Sequence, residues 1–370
     1  MDLEEINDKW LETQEVLNAG GYHVTDLFAV TAACWISRRW PEEPLWIMAV
    51  ASPGSGKTCT INQFKELSEI EIVSAVTPAG LISGWGGEKI DNSLFARIDN
   101  HLLIAKDFGT ILSMSSQEMG KVFAYLREAF DGDVKKTFGM MVREYHDLHF
   151  NFLAVTTEAC EHVQAFRQQL GERFMRFDVP VIDLPSPPPT VDKSLRGYVK
   201  EWLEDLETEE PPELSQEQYN WVGEIASACC KLRTEVIHDN YSKEVLEIPR
   251  FEGTARIEKQ LKKMFQGLLM VTGDEEETKR LCKHATRSSI KPRKLKLLRY
   301  LLDHDMEECT HKEIAEDLRH GYNVVRRLLN DLWTMELVKR DRKDFPKTYM
   351  WAIEDEYEDE FRKFLEGWDR

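Results

Sequence analysis

Apolar residues recur along the chain in two alternating patterns. Residues 1–40 carry the three-to-four-residue spacing of helices, whereas later apolar residues stand in short strand-like runs. These runs cover residues 45–50, 70–76, 102–105 and 150–155. Because helical stretches separate runs that are each long enough for one buried strand, the pattern predicts an α/β fold whose parallel sheet is covered by helices.

The pattern changes after residue 179, where we expect the sheet core to end. The segment Pro185-Ser186-Pro187-Pro188-Pro189 follows and is the clearest linker in the chain. Residues 191–287 carry long helical periodicity and few β-rich runs, which predicts an all-helical unit. The predicted segments are therefore an N-terminal helical segment (1–40), a core (41–184), and a linker with a helical unit (185–287).

Residues 288–353 have the pattern of three helices followed by a β-hairpin. The helices are expected at 291–302, 310–318 and 323–335, and the strands at 337–340 and 348–352. Thr310 is a candidate N-cap for the second helix, and His320-Gly321 makes the turn before the third. This order is typical of a winged helix-turn-helix. An acidic helix or tail, residues 354–370, follows it.

The first strand-like run ends in a glycine-rich segment, Ala51-Ser52-Pro53-Gly54-Ser55-Gly56-Lys57-Thr58. A buried strand followed by such a turn and by Gly-Lys-Thr is typical of a phosphate-binding loop, or P-loop. Its glycines let consecutive N–H groups point at a phosphate, its lysine brings charge to the β- and γ-phosphates, and its threonine hydroxyl reaches Mg²⁺. The helix that follows adds its N-terminal dipole. We therefore expect ATP and Mg²⁺ as cofactors, bound by Pro53, Gly54, Ser55, Gly56, Lys57, Thr58 and Cys59.

Further candidate catalytic groups follow the later strands. Asp107 ends the run 102–105 and is placed to hold the Mg²⁺ shell with Thr58, although an aspartate that merely ends a strand is the plain alternative. Thr157 offers a hydroxyl to an attacking water or to the γ-phosphate. Arg173 is the kind of group that stabilises a transferring phosphoryl from a neighbouring subunit, with a surface ion pair as the alternative. The general base stays open among Glu88, Glu118 and Glu158.

Composition limits the class of protein. The chain has 370 residues, of which 42% are hydrophobic and 31% charged, as in a globular protein of two or three domains. No apolar run approaches the length of a membrane span and the acidic N-terminus does not match a signal peptide, so we expect a cytoplasmic protein without a membrane partner. Seven scattered cysteines without a CxxC pair indicate reduced thiols. The net charge of −18 means that any nucleic-acid contact must be local.

Four segments occur in an order that resembles a known family. They are residues 77–84, the strand ending at Asp107-Phe108, residues 126–136, and Glu172-Arg173-Phe174. This order is similar to the AAA+ ATPase core of minichromosome-maintenance (MCM) helicases, and closer still to the ATPases of phages and integrating mobile elements that share that core. The resemblance covers roughly residues 25–300. It implies an α/β P-loop NTPase (AAA+) core, a helical lid within residues 185–287, and a homo-oligomeric ring of six subunits with ATP between them.

The resemblance also implies a hairpin at residues 131–145 that projects into the central channel of the ring. Lys135 and Lys136 would there contact the phosphates of single-stranded DNA. A solvated loop is the alternative interpretation of this segment.

Three further roles follow from the resemblance. Thr157 matches the first sensor position, where MCM proteins carry Asn, and Arg173 matches the arginine finger that acts across the subunit interface. Arg256 matches the second sensor, with Arg250 as the fallback. The chain departs from the family at Lys106-Asp107-Phe108, where hydrolytic members place Asp and then Glu, and in having no MCM-type N-terminal DNA-binding domain before the core.

The predicted third helix and wing carry residues that suit duplex DNA. Arginine and lysine contact phosphates, whereas asparagine and tyrosine contact base edges or the backbone. Basic residues also exceed acidic ones across residues 291–351, against the trend of the whole chain. A winged helix that binds protein is the alternative. The predicted DNA-binding residues are Lys135, Lys136, Tyr322, Asn323, Arg326, Arg327, Arg342 and Lys343.

These predictions favour an ATP-hydrolysing DNA motor, namely a replicative helicase or initiator of a phage or mobile element that works with replication partners. A nucleotide-switched DNA-binding or loading factor, with weak hydrolysis and no unwinding, is the second hypothesis. An ATP-gated scaffold whose winged helix binds protein is the third.

Overall fold

A computed structural model describes most of the chain. The described residues are 2–19, 25–84, 90–139, 141–158, 160, 170, 173–180, 193–208, 210–239, 244–248, 250–304, 310–344 and 347–368. Contacts divide the chain into two compact units: Met1–Gln216 with Lys259–Ala285, and Glu217–Glu258 with Thr286–Arg370. The division into five segments stays a prediction.

Helices and strands alternate through the first unit and into the second. The described helices are α1 (Leu3–Ala19), α2 (Thr25–Ile36), α3 (Lys57–Gln63), α4 (Pro78–Leu81), α5 (Gly109–Leu112), α6 (Ser116–Phe130), α7 (Lys193–Leu206), α8 (Gln216–Arg233), α9 (Ala255–Thr272), α10 (Glu275–Ser288), α11 (Pro292–Asp303), α12 (His311–Asp317), α13 (Tyr322–Thr334) and α14 (Asp355–Leu365). The described strands are β1 (Trp46–Val50), β2 (Ile70–Val73), β3 (His101–Ala105), β4 (Val134–Phe138), β5 (Met141–Tyr145), β6 (Phe150–Thr156), β7 (Met175–Asp178), β8 (Ile237–His238), β9 (Val245–Glu247), β10 (Val338–Asp344) and β11 (Lys347–Ile353).

Five parallel strands form the sheet of the first unit, in the order β2-β3-β6-β1-β7. The predicted mixed α/β fold with a parallel sheet is confirmed. The fifth strand, β7, was not among the predicted runs. It alternates buried and half-buried residues and includes Arg176 and Asp178, so it lacks the continuous apolar run of a central strand.

Aromatic side chains fill the core of the first unit. Trp46, at the start of β1, is fully buried, and its ring lies 5.0 Å from that of Phe130 and 5.2 Å from that of Phe174, between centroids. A separate aromatic stack joins α1, α2 and α7 through Trp10, Phe28 and Trp202. These large buried rings hold helices against the sheet because each removes much apolar area from water.

A buried asparagine ties α2 to the start of the central strands. The Asn151 side chain accepts from the Leu45 N–H at 2.8 Å and donates to the Cys34 carbonyl at 2.8 Å and to the Ser37 hydroxyl at 2.9 Å. All three bonds satisfy polar atoms that would otherwise be costly to bury. They also fix the approach of β1 to β6.

Strands β4 and β5 form an antiparallel hairpin in which Lys135 lies opposite Glu144 and Lys136 opposite Arg143. The hairpin predicted for residues 131–145 is therefore confirmed. Its exposed and partly buried residues alternate, as expected for a two-stranded ribbon with one face toward solvent.

The second unit contains α11, α12 and α13 followed by the antiparallel pair β10–β11, in the predicted order of three helices and a hairpin. The predicted N-cap Thr310 is confirmed, and with Glu313 it forms a capping box. The prediction that residues 191–287 are entirely helical is wrong in one place. Strands β8 and β9 pair there, because Ile237, Val245 and Leu246 favour an extended backbone. No helix among the described residues is long and apolar enough to cross a membrane.

Candidate functional site

Three predicted site segments meet at one edge of the parallel sheet. The segment 51–58 follows β1, Asp107 follows β3, and Thr157 follows β6. Because β6 lies between β3 and β1, the carboxyl ends of the three strands are neighbours. The backbone joins them further: Ala51 N–H donates to the Thr156 carbonyl at 3.1 Å, and Phe108 N–H donates to the Val155 carbonyl at 2.8 Å.

The segment 51–58, here called the glycine-rich loop, turns from β1 into α3 through two left-handed residues. Gly54 and Gly56 both have φ of 81°, a conformation that is strained for residues with a Cβ. Space is open around Gly54, where an added Cβ would have no atom within 4 Å. Glycine thus occupies both positions at which the backbone of this loop is left-handed.

The Lys57 side chain folds back over this loop. Its ammonium donates to the carbonyl oxygens of Ala51 at 2.5 Å and of Ser52 at 3.2 Å. Partial burial lowers the pKa of Lys57, and the neighbouring carboxylate of Asp107 opposes that shift. Lys57 and Asp107 therefore lie within electrostatic reach of each other.

Asp107 is exposed just beyond the end of β3. Its Oδ1 accepts from the Gly109 N–H at 3.1 Å, and its backbone carbonyl accepts from the Thr110 hydroxyl at 2.8 Å. The preceding Lys106 donates instead to Asn62 Oδ1 at 3.2 Å. The strand end thus presents one carboxylate, and the buried Phe108 follows it where the resemblance implies a glutamate.

The loop residues fit a bound phosphate. Ser55 is buried, and its Oγ has no hydrogen-bond partner among the described residues. Within that part of the chain the Lys57 ammonium is bonded directly to backbone carbonyls, and Asp107 acts on it only at a distance. Thr58 is exposed at the first turn of α3 and Cys59 is half-buried beside it. A phosphate would supply the acceptor that Ser55 lacks and the negative charge that Lys57 lacks.

Thr157 lies directly after β6 and is half-buried, and its carbonyl accepts from the Cys160 N–H at 3.2 Å. Of the candidate general bases, Glu158 is exposed next to it. Glu118 lies in the first turn of α6, where its carboxylate accepts from the Ser115 hydroxyl at 3.3 Å. Glu88 lies outside the described residues.

Arg173 lies close to the end of α6 in the same chain. Its Nη2 is 3.1 Å from Asp131 Oδ2, and its guanidinium carbon is 5.6 Å from the centre of the Phe130 ring. The side chain is only 12% exposed, and within the described part of the chain its Nε has no hydrogen-bond partner. The ion pair that the sequence left as the alternative is thus present, while an unpaired donor remains beside it.

The two candidate second-sensor arginines belong to the second unit. Arg256 is half-buried in the first turn of α9, and Arg250 is exposed before it. The glycine-rich loop belongs to the first unit. The role of Arg256 beside the nucleotide stays a prediction.

The two hairpin lysines differ in their surroundings. Lys135 is 68% exposed and pairs with Glu144 across the hairpin. The Lys136 ammonium lies 4.6 Å from the centres of both the Tyr125 and Phe138 rings, which is cation–π distance. Only Lys135 therefore presents a largely exposed ammonium.

The predicted DNA-binding residues of the second unit line the start of α13. Tyr322, Asn323, Arg326 and Arg327 are all exposed, and Arg342 is exposed on β10. The Lys343 side chain lies outside the described part of the structure. Trp333, which is 41% exposed at the far end of α13, was not among the predicted DNA-binding residues, because a tryptophan at helical spacing usually belongs to a core.

Comparison of the sequence with models of protein families finds no match, and comparison with curated protein sequences finds none either. The resemblance to MCM-type ATPases therefore stands on the four segments alone. The residues at the sheet edge that carries the glycine-rich loop, and those at the start of α13, are therefore what bears on function.

Proposed function

We propose that the chain is an ATP-dependent DNA motor with an AAA+ P-loop core of the MCM-like type. The observation that carries the proposal is the placement of the glycine-rich loop, Asp107 and Thr157 after three neighbouring parallel strands. Open α/β sheets bind phosphorylated ligands at this edge. The left-handed Gly54 and Gly56 suit a loop whose N–H groups surround a phosphate.

Each residue of this edge has a role in the proposed hydrolysis of ATP. Lys57 exchanges its two carbonyl partners for the β- and γ-phosphates, and Thr58 and Asp107 hold Mg²⁺. The metal supplies positive charge that offsets the charge of the phosphates. Thr157 orients the attacking water.

In the proposed ring of six, Arg173 reaches the nucleotide of the neighbouring subunit, with Arg256 as a second cation. The β4–β5 hairpin offers the exposed ammonium of Lys135 to DNA in the channel. The three helices and hairpin of residues 292–353 act as a winged helix-turn-helix that binds DNA outside the channel. This division of labour is that of a helicase or initiator.

ATP turnover by the full chain, measured alone and with single-stranded or duplex DNA, tests the proposal. We expect DNA to increase turnover. Lys57→Ala should abolish nucleotide binding, whereas the matched variant Lys121→Ala, an exposed lysine on α6, should bind ATP normally. Tight ATP binding by Lys57→Ala would contradict the P-loop assignment.

A nucleotide-controlled DNA-binding switch with little turnover is the second candidate. The sequence Asp107-Phe108 favours it, because the buried Phe108 stands where a glutamate after the aspartate would serve as general base. Tight ATP binding without turnover, in the presence or absence of DNA, would favour the switch over the motor.

A further inference from the structure

A continuous strip of aromatic and cationic side chains runs between α13 and the β10–β11 hairpin. The guanidinium carbon of Arg340 lies 3.4 Å from the ring centre of Trp333 and 4.9 Å from that of Tyr349. The Tyr349 ring is 6.4 Å from the ring of His311, which is 6.1 Å from the ring of Tyr322. Arg326 ends the series, 5.8 Å from the Tyr322 ring. The aromatic strip is defined as Trp333, Arg340, Tyr349, His311, Tyr322 and Arg326.

The two outermost rings of the aromatic strip are open to solvent. Tyr322 is 47% exposed and Trp333 is 41% exposed. They are separated by eleven residues of one helix, which is close to three full turns, so they lie on nearly the same face and about 16 Å apart along the axis. Large exposed rings on one face of a folded unit are unusual unless something covers them.

The aromatic strip is also positively charged. Neither Arg326 nor Arg340 forms an ion pair with any described residue, although the whole chain carries a net charge of −18. Partial burial lowers the pKa of His311, and the two guanidiniums beside it lower the pKa further. The local field therefore favours an anion.

Exposed rings and unpaired guanidiniums together match the chemistry of an unpaired nucleotide. A base in a duplex has both of its faces covered by its neighbours, so exposed protein rings gain little from it. An unpaired base stacks on an aromatic ring, and its phosphate binds arginine. Asn323 and Arg327 are exposed on α13 but are not part of the aromatic strip, and they suit a duplex backbone or groove instead.

We propose that the aromatic strip binds single-stranded nucleic acid, with bases stacked on Tyr322 and Trp333 and phosphates held by Arg326 and Arg340. The proposal rests on the proposed function only in placing nucleic acid on this unit. Such binding would make this unit a sensor of unpaired strands, and the binding does not require ATP.

Fluorescence anisotropy of the nucleotide-free full chain tests this proposal with three probes: labelled oligodeoxythymidine, oligouridine, and a blunt duplex of the same length. The double variant Tyr322→Ala/Trp333→Ala should lose about tenfold or more in affinity for oligodeoxythymidine, given about 1–3 kcal/mol per stacked base, and little for the duplex. Tyr219→Ala, which removes a 45% exposed ring from α8, is the matched control and should bind like the wild type. The affinities for oligodeoxythymidine and oligouridine show whether the aromatic strip prefers single-stranded DNA or RNA.

Conservative replacement guards against a folding defect. Trp333→Phe keeps a stacking ring and should retain most of the affinity, and each variant should keep the thermal midpoint of the wild type. A Lys135→Ala/Lys136→Ala background removes the proposed channel contact, and the loss from Tyr322→Ala/Trp333→Ala should persist in it. Unchanged single-strand affinity in the double variant, or an equal loss for duplex, would overturn the proposal. Failure of ATP turnover would not affect this result, which separates it from the proposed function.

Discussion

Arg173 Nη2 lies 3.1 Å from Asp131 Oδ2 of the same chain. The pair links the end of α6 to the segment just before β7. It engages Nη2 of the guanidinium, whose Nε has no hydrogen-bond partner among the described residues. A residue held in this way is already positioned near the surface by a carboxylate. For Arg173 to act on a neighbouring nucleotide, the phosphate must attract it more strongly than Asp131 does.

Mixed assembly tests whether Arg173 acts across a subunit interface. Subunits with Arg173→Ala keep Lys57, and subunits with Lys57→Ala keep Arg173, so an interface between the two contains one complete site. We expect the mixture to hydrolyse ATP faster than either variant alone, measured as phosphate release at fixed total protein. Normal assembly without recovered turnover would place Arg173 in a structural pair with Asp131.

The salt dependence of duplex binding tests the DNA-binding role of α13. Loss of one phosphate contact should flatten the slope of log affinity against log salt by about one unit, and we expect this for Arg327→Ala. Arg299→Ala is a suitable control, because it removes the same charge from α11, where Arg299 pairs with Asp303 at 3.0 Å. An unchanged slope for Arg327→Ala would assign α13 to protein contacts.

The sequence predicted the parallel sheet because three of its strands are buried on both faces and so appear as continuous apolar runs. It did not predict β7, whose edge position leaves alternate residues half-buried. It also missed β8 and β9, which are two and three residues long. Such short strands lack the length at which periodicity separates strand from loop.

The candidate nucleotide site was predictable because its residues follow strands whose order the fold fixes. Local motifs give no information on partners that are distant in sequence. The bond from Asp131 to Arg173 spans 42 positions, and the stack of Arg340 on Trp333 joins a strand to a helix. Both contacts arise from tertiary packing, which single-residue patterns do not specify.

Lys263 is a buried lysine whose titration should be visible in stability. Its Nζ donates to the Trp40 carbonyl at 2.9 Å and lies 3.2 Å from His149 Nε2. Burial lowers the pKa of Lys263 to about 7 from its ordinary 10.5, against the opposing effect of Glu42 and Glu43. The folded chain therefore releases a proton that the unfolded chain still holds between these two values.

The free energy of unfolding should rise with pH through that window, because the unfolded state binds more protons. The full cost of burying the charge is present below about pH 7 and is relieved as pH rises toward 10.5. Lys263→Met should remove a rise on the order of 5 kcal/mol, measured by urea unfolding from pH 6.5 upward. The neighbouring Lys262 pairs with Glu42 at the surface, so Lys262→Met should keep the wild-type slope of unfolding free energy against pH. Parallel curves for Lys263→Met and the wild type would contradict the prediction.

Arg38 offers a sharp contrast with its neighbour Arg39 in stabilising the first unit. The Arg38 side chain is fully buried over the Trp35 ring, with its guanidinium bonded to Glu69 and Glu207. Arg39 pairs with the same two carboxylates, but its side chain is 38% exposed. Removing Arg38 deprives both carboxylates of their fully buried partner, whereas the pairs that Arg39 forms are partly exposed and screened by water.

We therefore expect Arg38→Ala to lower the free energy of unfolding by about 3–5 kcal/mol and Arg39→Ala by less than about 1 kcal/mol. Urea unfolding at neutral pH, with equal slopes for both variants, measures the difference. Added salt should weaken the smaller effect and leave the larger one nearly unchanged, since screening acts on exposed charges. Equal losses for the two variants would mean that the shared carboxylates Glu69 and Glu207, and not the burial of Arg38, determine the energy of this cluster.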